Sequence, residues 1–291
     1  MYDLIDNEEI AGLDIKANPD ERLKNKLPRG YLSVSQVSQY MRCGEAYYFK
    51  YVLDKKTPST YYQVQGRGVH KAAEKLHLRI IANESMTVDE MVSEYSDLYD
   101  KEIQEVTFDV MKEEDPATIK DAGVLLTRKY HRAALGMEID PVTNLAYPPV
   151  KPIAAERILN VEIETCSGEK LPFMGVIDLE EEDAIADLKT KKKAASQLDA
   201  DNSLQLSLYA HMTNKRKVRL DQLIKPTKRI PERFLRTEAT RTEGEVAHAV
   251  DVVSEVADDI ARGRFRKTSP ENWWCSHHWC PYWFDCRGKL R

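Results

Sequence analysis

Asp178 and the tripeptide Asp187-Leu188-Lys189 are the residues of this chain best suited to chemistry. Gly175-Val176-Ile177-Asp178 closes an apolar, strand-prone run, and Ala186-Asp187-Leu188-Lys189 closes the next one. Between them, Glu180-Glu181-Glu182-Asp183 reads as a solvated turn, so the segment is a strand, a tight turn and a strand. A hairpin of that kind brings the two strand ends together, and their carboxylates with them. Converging carboxylates repel each other unless a hard cation lies between them, and Mg²⁺ is the usual partner of oxygen ligands. Lys189 follows Asp187 by two residues and so faces the same side of the strand. An ammonium there can orient a water and stabilise charge developing on a phosphate. These groups match what phosphodiester hydrolysis requires: an activated water, and a clamp on the scissile phosphate and the leaving oxygen. The plainer alternative is a surface hairpin with an Asp–Lys ion pair, and D-x-K alone does not separate the two.

A small sheet with helices around it must position these residues. Residues 1–30 are rich in Asp, Asn, Lys and Pro and read as a loose lead-in. Leu32-Ser33-Val34-Ser35 opens a helix, with Ser33 or Ser35 as N-cap and Val37, Tyr40, Met41 and Tyr47 at helical spacing. A second helix is expected from near Gly66 through His70, Glu74 and His77 to about Ile81. Helical patterns then cover Thr87 to about Glu105 and about Ala117 to Leu135. After Pro149 the character turns to β, with Ile158, Val161 and Ile163, then Phe173–Leu179, then Ala184–Leu188. A helix over about Leu204–Met212 follows. Leu223–Leu235 reads as a strand interrupted by Pro226 and Pro231, hence near an edge. Glu243–Arg262 is an amphipathic helix with Val246, Val250, Val253 and Val256 on its buried face. Helices, a short sheet, then helices define an α/β class with a small central mixed β-sheet flanked by helices. The expected division is a lead-in (1–30), a core (31–240) with a helical insertion at about 84–135, and a C-terminal helix with a cysteine-rich module (241–291).

Composition bounds the partners. The chain is 42% hydrophobic and 31% charged, which suits a folded, soluble protein. No apolar run approaches the roughly 20 residues that span a bilayer. The start, Met1-Tyr2-Asp3-Leu4-Ile5-Asp6, carries acids where a signal peptide needs bases, so a cytoplasmic location and no membrane partner are expected. A net charge of −5 argues against a nucleic-acid partner, but the average hides an asymmetry. Glu84–Asp115 holds twelve acids against two bases, and Lys215–Arg241 ten bases against three acids. The basic stretch is either a stripe offered to phosphates or an ordinary solvated face.

With these segments in hand, the chain resembles the PD-(D/E)XK nuclease superfamily, in particular its RecB-type exonuclease branch. That branch includes CRISPR-associated single-strand exonucleases and phage recombination exonucleases. Gly175-x-x-Asp178 and Asp187-x-Lys189 match its two central motifs. Gly66-Arg67-Gly68-Val69-His70, with Glu74 one turn on, resembles the upstream G-x-x-x-H-x-x-x-E motif. Gln205-Leu206-Ser207-Leu208-Tyr209 resembles the downstream Q-x-x-x-Y motif. The resemblance implies a restriction-endonuclease-like core in which His70, Asp178 and Asp187 bind Mg²⁺ or Mn²⁺, with the Leu188 carbonyl as a further ligand. It implies that Lys189 orients the nucleophilic water and that Gln205 and Tyr209, which share one helix face, hold the substrate. Glu74 and Glu156 are weaker candidates. Lys191, Lys192 and Lys193 either hold phosphate or form a plain charged turn.

Five cysteines are present, three of them in the last 20 residues. In a cytoplasmic chain such a cluster reads as metal binding more readily than as disulfides. Cys275-x4-Cys280-x5-Cys286, with Cys43 far upstream, resembles the one-plus-three arrangement that binds a [4Fe-4S] cluster in some RecB-type members. The cluster would then pin the two ends of the chain together. Spacing alone leaves Zn²⁺ open, because His277 and His278 lie inside the first gap. Trp273, Trp274, Trp279 and Trp283 are expected to pack around the cluster. Cys166 has no partner nearby and reads as a free thiol. The implied activity is exonucleolytic hydrolysis of DNA, single-stranded or with free ends, in recombination, repair or phage DNA processing. The host would be a bacterial, archaeal or phage-infected cell, and a recombinase, single-strand-binding protein or helicase the possible partner. An endonuclease, and a non-catalytic DNA-binding subunit of a recombination or CRISPR-adaptation complex, are the alternatives. No G-x-x-x-x-G-K-[ST] occurs, so any unwinding is expected from another protein.

Overall fold

The hairpin carrying Asp178 and Asp187 lies inside a mixed six-stranded sheet flanked by helices. The computed structural model describes residues 27–106, 115–165 and 168–288. Most of the expected lead-in, residues 107–114 of the acidic stretch, and Cys166 lie outside the described residues. The strands are β1 (Leu32–Ser33), β2 (Pro152–Glu164), β3 (Lys170–Glu181), β4 (Ala184–Lys191), β5 (Lys217–Ile224) and β6 (Arg233–Thr240). The helices are α1 (Val34–Arg42), α2 (Gly44–Tyr47), α3 (Tyr61–Ile81), α4 (Val88–Glu102), α5 (Pro116–Ala134), α6 (Gln197–Asp201), α7 (Leu204–Thr213), α8 (Glu243–Ala261) and α9 (Trp283–Arg287). The sheet order is β1-β3-β4-β5-β6, with β2 also paired to β3. β3–β4 and β5–β6 are antiparallel and β4–β5 is parallel. Among the described residues no helix is long and apolar enough to cross a membrane.

The chain forms two compact units. The first comprises Ser59–Ile158 and Val176–Val246. In it α3, α4 and α5 share one apolar core with the inner face of the sheet, through Leu76, Tyr95, Tyr99, Leu126 and Tyr130 on the helices and Leu179, Ala186, Leu188 and Leu223 on the strands. α3 begins five residues before the expected start near Gly66. Thr60 and Gln63 close a capping box there, the Gln63 amide oxygen taking the Thr60 N–H at 2.7 Å. Gly66 and Gly68 are therefore interior helical residues. The turn of the β3–β4 hairpin is also shorter than expected. Glu180 and Glu181 stay in β3, and Glu180 is buried because Arg157 (2.6 Å) and Lys215 (2.8 Å) neutralise it. Asp178 and Asp187 accordingly lie within their strands, not at the ends. The strand expected over Leu223–Leu235 is two strands, β5 and β6, with Pro226 and Pro231 in the loop between them. Proline cannot donate to a ladder, so these residues mark where the chain leaves the sheet. β5 is an inner strand, buried from Val218 to Ile224.

The basic stretch Lys215–Arg241 is largely consumed by internal pairing. Lys215 meets Glu180, Arg216 meets Glu243, Lys217 meets Asp183, Arg219 meets Glu181, and Arg236 meets Asp221. Arg241 donates to Ser207 Oγ at 2.8 Å. These bases lie on β5 and β6 or beside their ends, and most of their acidic partners come from other segments, which a charge count along the sequence does not register.

The second unit comprises the segment up to Pro58, Leu159–Gly175 and the segment from Ala247. Leu32 and Ser33 pair with Phe173 and Met174 as β1, so the helix expected to open at Leu32 begins at Val34. Ser33 is its N-cap, accepting from the Gln36 N–H at 3.3 Å. Tyr40, Tyr47 and Phe265 form an aromatic cluster, with Tyr47 stacked on Phe265 at 6.1 Å. A Cβ at Gly44 would lie 2.7 Å from the Arg266 backbone nitrogen, so only glycine fits there. On α8, Val253 and Val256 are buried as expected, while Val250 is half-buried and Ala249, Ala257 and Ile260 complete the face.

One packing constraint is testable. Tyr95 stands between Gly68 of α3 and Gly123 of α5, and its hydroxyl donates to the Lys120 carbonyl at 3.1 Å. A Cβ at Gly123 would lie 1.8 Å from Tyr95 Oη. Overpacking of that degree outweighs the helix-propensity gain of about 1 kcal/mol, so Gly123→Ala should lose roughly 2 kcal/mol in urea denaturation. Gly244→Ala, in open space on α8, should be neutral or stabilising.

Candidate active site

The hairpin register sets the first pair of carboxylates. Leu179 opposes Ala186, and continuing the register by one residue puts Asp178 opposite Asp187. The Leu188 N–H donates to Asp178 Oδ2 at 2.7 Å, which locks the Asp178 carboxylate toward β4. Leu188 thus enters the site through its amide N–H. Lys189 Nζ lies 2.8 Å from Asp187 Oδ1, the same-side placement expected of residues two apart on a strand.

Two more elements converge on Asp178. α3 contributes His70, whose Nδ1 lies 3.6 Å from Asp178 Oδ1 and 3.8 Å from Glu156 Oε1. These separations are too long for hydrogen bonds. Two ligands of one octahedral Mg²⁺, each about 2 Å from it, sit roughly 3 Å apart when adjacent and about 4 Å when opposite. His70, Glu156 and Asp178 form a group whose ligand atoms all lie within 4.8 Å of one another. Among the described residues neither buried nitrogen of His70 has a hydrogen-bond partner, nor does Asp187 Oδ2. Buried polar atoms left without a partner in this way are costly unless something binds them. The donor set of one imidazole and two carboxylates, with Asp187 on the adjoining strand, fits a divalent cation with hard or borderline preferences.

Glu156 lies within β2 and reaches the site from a left-handed backbone position, φ +45°, which is strained for a residue with a side chain. No residue type near it announces that kink, which is why the sequence alone gives Glu156 no more weight than Glu74. Glu74 sits one turn after His70, pairs with Lys71 at 2.7 Å and stands outside the three-ligand group. Gln205 and Tyr209 do share one face of α7. Gln205 Nε2 donates to Asp187 Oδ1 at 2.8 Å and to Tyr209 Oη at 2.9 Å, so this pair grips the carboxylate of Asp187.

The electrostatics follow from burial and sign. Burial alone would push the His70 pKa down, but Asp178 and Glu156 more than reverse it and hold it up at about 10. Burial raises Glu156. Burial would also raise Asp178, but His70, Lys189 and the Leu188 N–H hold it below the usual range. Burial pushes Asp187 up to about 6, with Lys189 opposing and Asp178 adding to the rise. Two turns along α3, His77 is different: burial pushes it down to about 4, and its Nε2 meets Tyr130 Oη at 2.9 Å. Near it Asp221 is held below the usual carboxylate range despite burial, by the Arg219 charge and then by Arg236, which donates to it at 2.9 and 3.2 Å.

In the second unit Cys43, Cys275, Cys280 and Cys286 are free thiols lining one cavity with Phe49, Trp274 and Trp283. Burial raises the Cys280 pKa to about 11, with Cys43, Cys275 and Cys286 adding to the rise. Arg287 Nη2 lies 3.5 Å from Cys275 Sγ. Trp274 is buried there, whereas Trp273 and Trp279 are exposed and pack edge to face with each other at 5.6 Å. The expectation that all four tryptophans surround the cysteines therefore fails for these two.

A model of the PD-(D/E)XK nuclease superfamily matches residues 31–287. The chain belongs to that superfamily, whose members are metal-dependent nucleases, and the sheet with its flanking helices is the restriction-endonuclease-like core. A solved structure titled "Crystal structure of SSO0001" is similar to it at 15% identity and a TM-score of 0.43, over 93% of this chain and 96% of that one. No curated protein matches the chain.

The two histidines give opposite titrations in metal-free protein. By NMR, His70 should remain protonated until about pH 10 and His77 should remain neutral down to about pH 4. Because the His70 pKa is raised on folding, its stabilising contribution is full below about pH 6.5 and is lost as pH rises toward 10. Glu156→Gln removes one partner and should lower the His70 pKa.

Proposed function

We propose that this chain is an Mg²⁺- or Mn²⁺-dependent deoxyribonuclease of the RecB-type branch that digests DNA from single-stranded or free ends. The observation that carries this reading is His70, a buried imidazole without a hydrogen-bond partner, facing the carboxylates of Asp178 and Glu156. Asp187 and Lys189 complete the site on the adjoining strand. His70, Asp178 and Glu156 would hold the cation, and the unpartnered Oδ2 of Asp187 would be a further donor. Such an ion would supply Lewis-acid chemistry, activation of water and neutralisation of phosphate charge. Lys189, whose Nζ lies 2.8 Å from Asp187 Oδ1, would orient the attacking water and stabilise the oxygen that gains charge. Gln205 and Tyr209 hold Asp187 in place, which makes them positioning residues, and Leu188 does the same for Asp178 through its N–H.

Replacing Lys189 with Ala should reduce cleavage of end-labelled single-stranded DNA by about 10²-fold or more while the fold is retained. Wild-type rates from Lys189→Ala, or no cleavage by the native protein with Mg²⁺ or Mn²⁺, would remove the role or the reading. Covalently closed circular DNA separates the ends: an exonuclease leaves it intact and an endonuclease linearises it.

The second site we assign is structural. Cys43, Cys275, Cys280 and Cys286 hold a [4Fe-4S] cluster that ties the N-terminal helix segment to the tail. Four free thiols around one cavity support this reading, together with a Cys280 whose ionisation is opposed by the other three. A cluster neutralises the thiolates that burial otherwise disfavours. Anaerobically purified protein should contain iron and labile sulfide and absorb in the visible range, and Cys43→Ser should lose both signals. Zinc in place of iron would overturn the cluster assignment and leave the nuclease reading untouched. DNA recombination, repair or phage DNA processing in the cytoplasm, beside a recombinase, single-strand-binding protein or helicase, is the setting this activity suits.

A further inference from the structure

The parallel strands β4 and β5 end side by side, just beyond Lys189. Lys191 opposes Ile224, and the Lys225 N–H donates to the Lys191 carbonyl at 2.9 Å. Lys191, Lys192 and Lys193 therefore emerge from the sheet next to Lys225, and the β5–β6 loop adds Lys228 and Arg229, both exposed. Unlike the strand bases of Lys215–Arg241, these stand at or beyond the last paired rung of the sheet. Asp199, an acid that senses Lys191, already accepts the Ser196 N–H at 2.6 Å.

An aromatic ring stands among these cations. Tyr62, near the start of α3, has Lys225 Nζ 4.1 Å and Lys192 Nζ 4.7 Å from its ring centroid. Tyr62 is half-buried, anchored on one side by the apolar core shared by the helices and sheet. It precedes His70 by eight residues of continuous helix, about 12 Å along the axis. A strand whose phosphate lies at the His70–Asp178 site can reach the ring within a few nucleotides.

We propose that Tyr62, Lys192 and Lys225 form a binding subsite for single-stranded DNA beside the cleavage site. An unpaired base stacks on Tyr62, while Lys192 and Lys225 leave the ring for the flanking phosphates. A base on the ring gains the stack and brings its flanking phosphates to two ammonium groups already gathered there. A base still paired in a duplex cannot reach the ring, so the subsite selects unpaired strands. This inference rests on the nuclease reading for its substrate, and its test is kept apart from catalysis.

The test is fluorescence anisotropy of a labelled oligothymidylate and of a duplex of the same length, in a Lys189→Ala background that preserves the probe. Tyr62→Leu, which keeps apolar packing but removes the stacking face, should weaken single-strand binding on the order of tenfold and duplex binding far less. Tyr62→Phe should bind like the parent. Lys192→Ala with Lys225→Ala should flatten the salt dependence, by roughly 0.7 in log–log slope for each phosphate no longer neutralised. Unchanged single-strand affinity in a Tyr62→Leu protein with native circular dichroism overturns the proposal, as does equal weakening of single strand and duplex. Either result leaves cleavage by the native protein, and so the nuclease reading, standing.

Discussion

Everything at the centre of this protein answers to one electrostatic problem, the convergence of buried carboxylates from three strands on one histidine. Asp178 and Asp187 oppose each other across a hairpin, and Glu156 is turned toward them from a left-handed position in β2. Left alone, these groups repel and resist burial. His70, brought in by α3, counters part of the charge at 3.6 and 3.8 Å without satisfying either partner by a hydrogen bond. The remainder is met by fixed donors: the Leu188 N–H on Asp178, and Lys189 and Gln205 on Asp187. Such an arrangement is poor design for stability alone, because buried ion clusters rarely repay their desolvation. It is well suited to holding a divalent cation among His70, Glu156 and Asp178.

The surroundings can be understood as support for that cluster. α3 must run close to the sheet to deliver His70, and Gly68 and Gly123 let Tyr95 wedge between α3 and α5. Asp221, Glu181, Arg219 and Arg236 form a separate, internally neutralised network near His77, which burial keeps uncharged. Two histidines on one helix thus sit at opposite extremes. His70 is held protonated by acids, and His77 is held neutral by the apolar core and Tyr130. Position along α3 relative to the sheet, not residue type, decides between them.

Much of this was readable in the residues themselves. Alternating apolar runs around Glu182-Asp183 gave the hairpin, and the two-residue step from Asp187 to Lys189 gave their shared face. The i, i+4 spacing of Gln205 and Tyr209 gave their common side of α7. Three things were not readable. Glu156 depends on a single strained φ, and nothing local specifies it. Glu180 is acidic and flanked by acids, so it looks like turn surface, yet Arg157 and Lys215 arrive from distant segments to bury it. The prolines at 226 and 231 hid a hairpin of two strands, because the basic residues around them obscure the alternation of β5 and β6. For Glu180, partners remote in sequence decide the outcome.

The central claim is that the cluster of His70, Glu156 and Asp178 is a cation site. The most direct measurement is anomalous diffraction from crystals soaked in Mn²⁺. The account predicts a peak bounded by the His70 ring and the carboxylates of Asp178 and Glu156, lost in His70→Ala. A saturating soak with no peak among these residues, in crystals where their side chains are ordered, would contradict it.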